Sequence, residues 1–332
     1  MNALKSIYAL ATFIGLFILA IAGFNYSTDA FCFFRCDVVD VNRQTVNLYY
    51  QVAQRVLAYP DTEQIVLGSS RGESIPLKSL QNETGLKTLN LSVGGSEVKS
   101  KLAYLSFATK NLKLKRVIWI ADYFEISTSL SDPRLLYSPA LSSEAPSELK
   151  DSASSERIGR LSRIIDRQTL EASFKMLSVR EYAQISPGIN NVTLEECLEA
   201  EAKKDQTPET LAKEVDLLYH SYVHGIFAAK ENPKALQELK KALASVSHQG
   251  IEVLILIPPY NPRFSKNLEQ QSPQIYHRHL DWLKQVHSLA TDKIRVVDYF
   301  LGIPDTEDSP QFWSDGVHFT CAATQIMFKQ AL

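Results

Sequence analysis

Two short stretches near opposite ends of the chain carry the residue types of nucleophilic catalysis. The first is Gly68-Ser69-Ser70-Arg71, which closes the apolar run Ile65-Val66-Leu67, and the second is Asp315-Gly316-Val317-His318. A serine hydroxyl becomes a useful nucleophile only when a base takes its proton, and the base works best when a third group orients it. Ser70, His318 and Asp315 supply these roles. With Asp315 three residues before His318, one carboxylate in the same loop can bond the imidazole, fix its tautomer and leave the other ring nitrogen to the serine. Taken singly, a serine after glycine at a strand end is ordinary turn chemistry, and Asp-Gly-Val-His reads as a capped surface turn. Their pairing at the start and end of one α/β pattern is what points to a site.

The elements that must position these residues are legible as alternating apolar runs and helical periodicities. Ile65 to Leu67 reads as a first buried strand, residues 87–92 as a second, 116–121 as a third, 252–257 as a fourth and 294–298 as the last. Helical spacing links them over about 97–111, 234–248 and 276–289, and a terminal helix follows His318. Repeated strand, helix, strand order argues for a parallel sheet with helices on its faces. Ligands in such sheets sit beyond the carboxyl ends of the strands. Ser70, Gly95 and Asp122 each fall just after one of these runs, so the pattern places them on one rim.

Before the first strand, residues 37–60 show helical spacing, and this helix is expected to carry the chain from its N-terminal segment to the α/β domain. That segment holds the uncharged run Ile7 to Phe24, about 18 residues, roughly the length that crosses a bilayer core as a helix. Lys5 before it agrees with a cytoplasmic N-terminus and a membrane-anchored domain on the far side. Cleavage after Ala20-Ile21-Ala22, giving a secreted protein, is the competing reading. Residues 1–36 are therefore the anchor or signal and juxtamembrane segment, and 37–332 the α/β domain. Within that domain, residues of about 127–230, Ser- and Pro-rich at first and then helical, read as an insertion.

The 332 residues have 35 Lys and Arg against 37 Asp and Glu, a formal charge of −2. Nothing here forms the basic face that nucleic acid requires. Cys32 and Cys36, just beyond the apolar run, are a candidate disulfide in an oxidising compartment or else two separate thiols. Cys197 and Cys321 stand isolated, and no zinc-type ligand spacing occurs. His220 and His224 share i, i+4 spacing without a nearby Glu and read as a polar helix face; His277 and His279 read the same way. After the fourth strand, Pro258-Pro259-Tyr260-Asn261-Pro262-Arg263 reads as a rigid turn on the active rim, with Tyr260 and Arg263 as candidates for substrate contact. Arg71, beside the serine, is a candidate to pair with Asp122 or to bind an anionic substrate group. Trp313 is a candidate pocket wall or packing for the last loop.

These residues carry a family resemblance. Gly68-Ser69-Ser70-Arg71 resembles the first block of the SGNH (GDSL-like) hydrolase superfamily, and Asp315-Gly316-Val317-His318 resembles its last block, Asp-x-x-His. Asn90-Leu91-Ser92-Val93-Gly94-Gly95-Ser96 is similar to the second block, whose glycine offers a backbone N–H to the oxyanion; that glycine is assigned to Gly95, with Gly94 its alternative. Ser69 replaces the aspartate of Gly-Asp-Ser, as the anchored branches allow. The third block, Gly-x-Asn-Asp, is represented by Ile120-Ala121-Asp122-Tyr123, so Asp122 takes the place of an oxyanion-hole asparagine. There it is expected to be protonated, or to bind a substrate hydroxyl or Arg71.

The fold class expected is α/β, a flavodoxin-like three-layer α/β/α arrangement. It has a central mostly parallel sheet, a helical insertion and an N-terminal transmembrane helix. The resemblance is to membrane-anchored, envelope-facing branches, similar to polysaccharide O-acyltransferases and esterases and to D-alanyl-lipoteichoic acid transfer proteins. It implies a serine esterase or O-acyltransferase acting on ester groups of a cell-surface glycan or lipid-linked saccharide, with a membrane acyl-transfer or export protein as partner. Ser70 and Gly95 would stabilise the oxyanion, and the scheme calls on no metal or organic cofactor. The alternative is a relative without turnover that serves as a binding or assembly protein of a polysaccharide export or modification system.

Overall fold

In the computed structural model the described residues are 2–34, 39–43, 45–126, 138–144, 164–178, 186–188, 190–229, 231–303 and 308–332. The chain opens with α1 (Asn2–Thr28) and α2 (Leu48–Ala58), then β1 (Gln64–Leu67), α3 (Ser70–Glu73), α4 (Leu77–Thr84), β2 (Thr88–Asn90), α5 (Val98–Asn111) and β3 (Arg116–Ile120). A 3₁₀ turn at Tyr123–Ile126 precedes α6 (Pro139–Glu144), α7 (Arg167–Ser178), α8 (Leu194–Glu201) and α9 (Pro208–Ser221), the last running into a π-helical segment at Tyr222–Ile226. The chain closes with α10 (Pro233–His248), β4 (Glu252–Ile257), α11 (Pro262–Gln271), α12 (Pro273–His287), β5 (Ile294–Asp298) and α13 (Cys321–Ala331). Two compact units emerge: residues 1–54 with 133–185, and residues 55–132 with 186–332. The expected insertion is thus shared between them.

The larger unit holds a five-stranded sheet in the order β2-β1-β3-β4-β5, every neighbouring pair parallel. Its cause is in the composition of the strands: Val117 to Ile120 and Val253 to Ile257 are unbroken apolar runs, buried throughout, as strands covered on both faces must be. Ile65 pairs with Leu89 on one side and Val117 on the other, and Ile118 pairs with Leu254. This strand order is the flavodoxin-like one, which reverses winding between β1 and β3 and opens a crevice at their carboxyl ends. Ser70, Gly95, Asp122 and Tyr260 follow β1, β2, β3 and β4 in turn.

Two helices differ from expectation. The helix read over 37–60 begins only at Leu48, because the Asn47 side chain accepts from the Tyr49 and Tyr50 amides at 3.0 and 3.2 Å and caps it there. The rigid turn at 258–263 is instead the start of α11: buried Asn261 caps it, accepting from Arg263 N at 2.8 Å, and Pro262 opens its first turn. Cys197 of α8 and Cys321 at the start of α13 are not isolated but disulfide-bonded, Cα–Cα 6.2 Å, across 124 residues of chain. The expected pairing of Cys32 with Cys36 lies outside the described residues, since Cys36 is among the rest.

In the smaller unit, α1 is the prominent element. Over Lys5–Thr28 it is long and apolar enough to cross a membrane, and the same length and composition suit an N-terminal signal sequence. Near its end it packs against α7: Phe24 and Phe174 stand 5.0 Å apart between ring centroids, and the Thr28 hydroxyl donates to Ser173 Oγ at 2.7 Å.

Candidate active site

Ser70 is the first residue of the one-turn helix α3. Ser69 caps that helix, accepting from Arg71 N at 3.3 Å. The turn is tight enough that a Cβ on Gly68 would lie 2.9 Å from Gly72 Cα, so only glycine serves at 68. As the first helical residue, Ser70 has a backbone N–H with no acceptor inside the helix.

His318 arrives from the far end of the chain. Its Nε2 lies 2.8 Å from Ser70 Oγ, and its Nδ1 lies 2.7 Å from Asp315 Oδ2. Both separations fall within the reach of proton transfer. Asp315 also shapes its own loop, its Oδ1 accepting from the Val317 and His318 amides at 2.8 Å each. Burial works to raise the Asp315 pKa, but the His318 bond and charge and the two amides outweigh it and hold the carboxyl below its usual range. An ionised Asp315 makes Nδ1 the donor and leaves Nε2 to accept the serine proton. The loop is fixed from outside by Asn261, whose N–H donates to Gly316 O at 3.1 Å, and by the Cys197–Cys321 bridge just beyond it.

The second loop, residues 93–96, lies against the serine: a Cβ on Gly94 would be 3.8 Å from Ser70 Cβ. Gly94 donates its N–H to Glu73 Oε1 at 2.7 Å. Gly95 adopts φ +74°, a left-handed conformation that favours glycine, and among the described residues nothing accepts from its N–H. Of the two glycines, Gly95 is therefore the one with an amide to offer. Burial pushes the Glu73 carboxyl up, against the Gly94 amide and the charges of Arg55 and His318.

Arg71 and Asp122 do not face outward. Both are buried, and Arg71 Nη1 donates to Asp122 Oδ1 at 2.7 Å while Ser69 Oγ donates to Asp122 Oδ2 at 2.6 Å. Arg71 Nη2 donates to the Pro259 carbonyl, and the guanidinium sits over the Tyr260 ring at 4.9 Å. One side chain thus joins the ends of β1, β3 and β4. Tyr260 is buried too, so these three candidates for substrate contact form the floor beneath the serine. Arg263 leaves the rim altogether: it stands on α11 in a two-point ion pair with Asp216 at 2.7 and 2.8 Å. Trp313 is fully buried and packs the last loop.

Beneath Asp122 lies a second buried pair. Lys101 bonds Glu125 and donates to Ile120 O at 2.8 Å, while Glu125 accepts from Trp119 Nε1 at 3.2 Å and from Asp122 N at 2.8 Å. Burial pushes the Glu125 carboxyl above its usual range, with the neighbouring Asp122 charge adding to it, against the pull of Lys101. His279 is likewise no surface residue. It is fully buried, stacked on Tyr123 at 3.7 Å, with Nδ1 bonded to Ile275 O at 2.9 Å and Nε2 3.4 Å from the Tyr260 hydroxyl. His220 and His224 remain exposed on α9 and the π-helical segment. Half-buried Tyr222, on that segment, is pushed up to about 12 by burial and by the Asp122 and Asp315 charges, against Arg71.

No family model and no curated protein matches the chain. Solved structures do. One from Streptococcus pneumonia, provisionally described as a platelet activating factor, is 12% identical, with 84% of this chain and 88% of that chain covered at a TM-score of 0.38. Another, from Bacteroides fragilis and provisionally described as an acylhydrolase, is 11% identical, with 84% and 93% covered at a TM-score of 0.39. The fold class rests on strand order and register, not on these likenesses.

Proposed function

We propose that the protein is a serine esterase or O-acyltransferase of the cell envelope, working on ester groups of a surface glycan or its lipid carrier. The observation that carries the acyl-transfer chemistry is the continuous contact from Ser70 Oγ through His318 to Asp315, at 2.8 and 2.7 Å. The envelope setting draws on α1 as an uncleaved membrane span, and the glycan on the resemblance to the anchored SGNH-like branches. A membrane acyl-transfer or export protein is the proposed partner.

In the first step Ser70 Oγ attacks the ester carbonyl carbon as its proton passes to His318 Nε2. Asp315 holds the imidazolium through Nδ1–H and keeps the ring in line. Negative charge collects on the carbonyl oxygen, where the amides of Ser70 and Gly95 are available as donors; one such donor is worth roughly 3–4 kcal/mol of barrier. Collapse expels the alcohol, which takes the proton from His318, and leaves an acyl-serine. Water or a sugar hydroxyl then gives its proton to His318, attacks the acyl carbon and restores the free serine.

A second reading, a binding or assembly protein without turnover, is favoured by Asp122. Engaged by Arg71 and Ser69, it brings no donor to the oxyanion. Trapping with a serine-reactive fluorophosphonate separates the two. Labelling that disappears in Ser70→Ala and weakens in His318→Ala is expected. Absence of labelling, together with unchanged biological function in Ser70→Ala, would overturn the enzyme in favour of the binding protein.

A further inference from the structure

We infer that α7 is a membrane-surface foot, laid into the interfacial layer of the bilayer beside the point where α1 leaves it. The inference rests on the reading of α1 as an uncleaved span. At 1.5 Å per residue the apolar run from Ile7 to Phe24 is about 27 Å long, close to the roughly 30 Å hydrocarbon thickness of a bilayer. Phe24 therefore lies at the boundary between hydrocarbon and headgroups. Along α1, residues 5–20 are exposed, cover by the rest of the unit begins at Ile21, and Asn25 is buried. Whatever packs on Ile21 to Asn25 shares the depth of the membrane surface.

What packs there is α7 and the turn before it. Asn25 Nδ2 donates to Ile164 O at 2.8 Å, and Phe24 meets Phe174. Among the described side chains of α7 the buried ones are the small polar Thr169 and Ser173, one turn apart, with Ser173 bonded to Thr28 of α1. Phe174, by contrast, is 59% exposed; nearby Ile165 is 52% and Tyr26 49% exposed. Arg167, Glu171 and Lys175 are exposed beside Phe174, the mixed charged and apolar surface of a helix that lies in the interfacial layer, and aromatic side chains collect at the level of the headgroups. A single exposed Phe in water calls for no explanation. Exposed Phe174 and Ile165 on the α7 side of the exit, with exposed Tyr26 on α1 itself, have the bilayer as their fitting solvent.

The test uses the full chain, reconstituted into vesicles of mixed neutral and anionic phospholipid, with Phe174→Trp and separately Ile165→Trp. The native Trp119, Trp282 and Trp313 are buried and set the baseline. The added emission is expected to be blue-shifted, to lose more than half its intensity to lipids brominated near the headgroup, and to lose little to lipids brominated at the chain ends. Protein that floats with the vesicles while neither added tryptophan is quenched overturns the foot and leaves the span intact. Blue-shifted, unquenched emission with cross-linking into dimers assigns the surface to a second copy of the chain and overturns it too. Failure to float with the vesicles overturns the span and the foot together.

Discussion

Arg71 and Asp122 form a buried ion pair, 2.7 Å apart, under the turn that carries Ser70. Of the three expected states for Asp122, pairing with Arg71 is the one the structure shows, so the carboxylate is occupied beneath the serine. The charge is matched by Arg71 and by the Ser69 hydroxyl, so the acid acts on the serine through the geometry of its turn. With Arg71 also bonded to the Pro259 carbonyl, three strand ends are held in one register.

Breaking that pair leaves a buried charge without its partner. Asp122→Ala is expected to lower unfolding free energy by about 3–5 kcal/mol, whereas replacing both partners by apolar residues, as Arg71→Met with Asp122→Leu, should recover most of it. Chemical denaturation of the single and double variants checks this. A double variant as unstable as the single one would show that the floor needs the Arg71 bond to Pro259 more than charge balance.

How much of this was visible in the chain follows from the range of each interaction. β3 and β4 are legible because strands buried on both faces must be continuously apolar, and Ser70 and His318 because each closes or follows a local pattern. Pairings set only by the fold are not. Cys197 meets Cys321 because α8 packs near the last loop, and no local signal marks that. His279 follows polar His277 and Arg278 and comes two residues before Asp281, which disguises a position facing inward onto Tyr123. The Asn261-Pro262 pair carries the cap chemistry of a helix start, but the Pro-rich stretch before it reads as a turn. Lys101 and Glu125 look like ordinary helix and turn charges until β3 brings them together.

Asp315→Asn leaves the loop shape nearly intact, since an amide oxygen still accepts from Val317 N and His318 N. It reverses the tautomer preference of His318, whose Nδ1 would then have to accept. Acyl-enzyme formation should fall by roughly 10⁴-fold, read as the rate of fluorophosphonate labelling, while thermal stability changes little. Equal losses of rate and stability would point to a purely structural aspartate.

His279 gives the fold an acid limit. Burial first, aided by the Arg278 and Arg71 charges and opposed by the Ile275 carbonyl, lowers its pKa from 6.5 to about 3. The folded ring is neutral while the unfolded one titrates at its ordinary value. Its contribution is therefore fully present above pH 6.5 and lost as pH falls toward 3. Between pH 6.5 and 4.5 this one group should remove about 2–3 kcal/mol of stability. His279→Phe keeps the stacking on Tyr123, and its denaturation midpoint should vary less over that interval. An unchanged slope would place the acid limit in the carboxylates.

Glu73 lies against the loop of Gly94 and Gly95, a placement that local sequence patterns do not mark. By accepting the Gly94 N–H at 2.7 Å it fixes the Val93–Gly94 peptide, one peptide before the one that carries the Gly95 N–H, and so limits how the Gly95 amide can turn. Glu73→Ala frees that peptide. If Gly95 serves the oxyanion, the turnover number for a small ester should fall roughly 10²–10³-fold, the loss of one such donor, with KM little altered because the ground-state carbonyl barely uses the contact. Glu73→Gln keeps an oxygen that can accept from Gly94, so it should restore most of the rate. A Gln variant as slow as the Ala variant would transfer the role to the negative charge of Glu73 beside His318. Unchanged turnover in both would remove Gly95 from the oxyanion site.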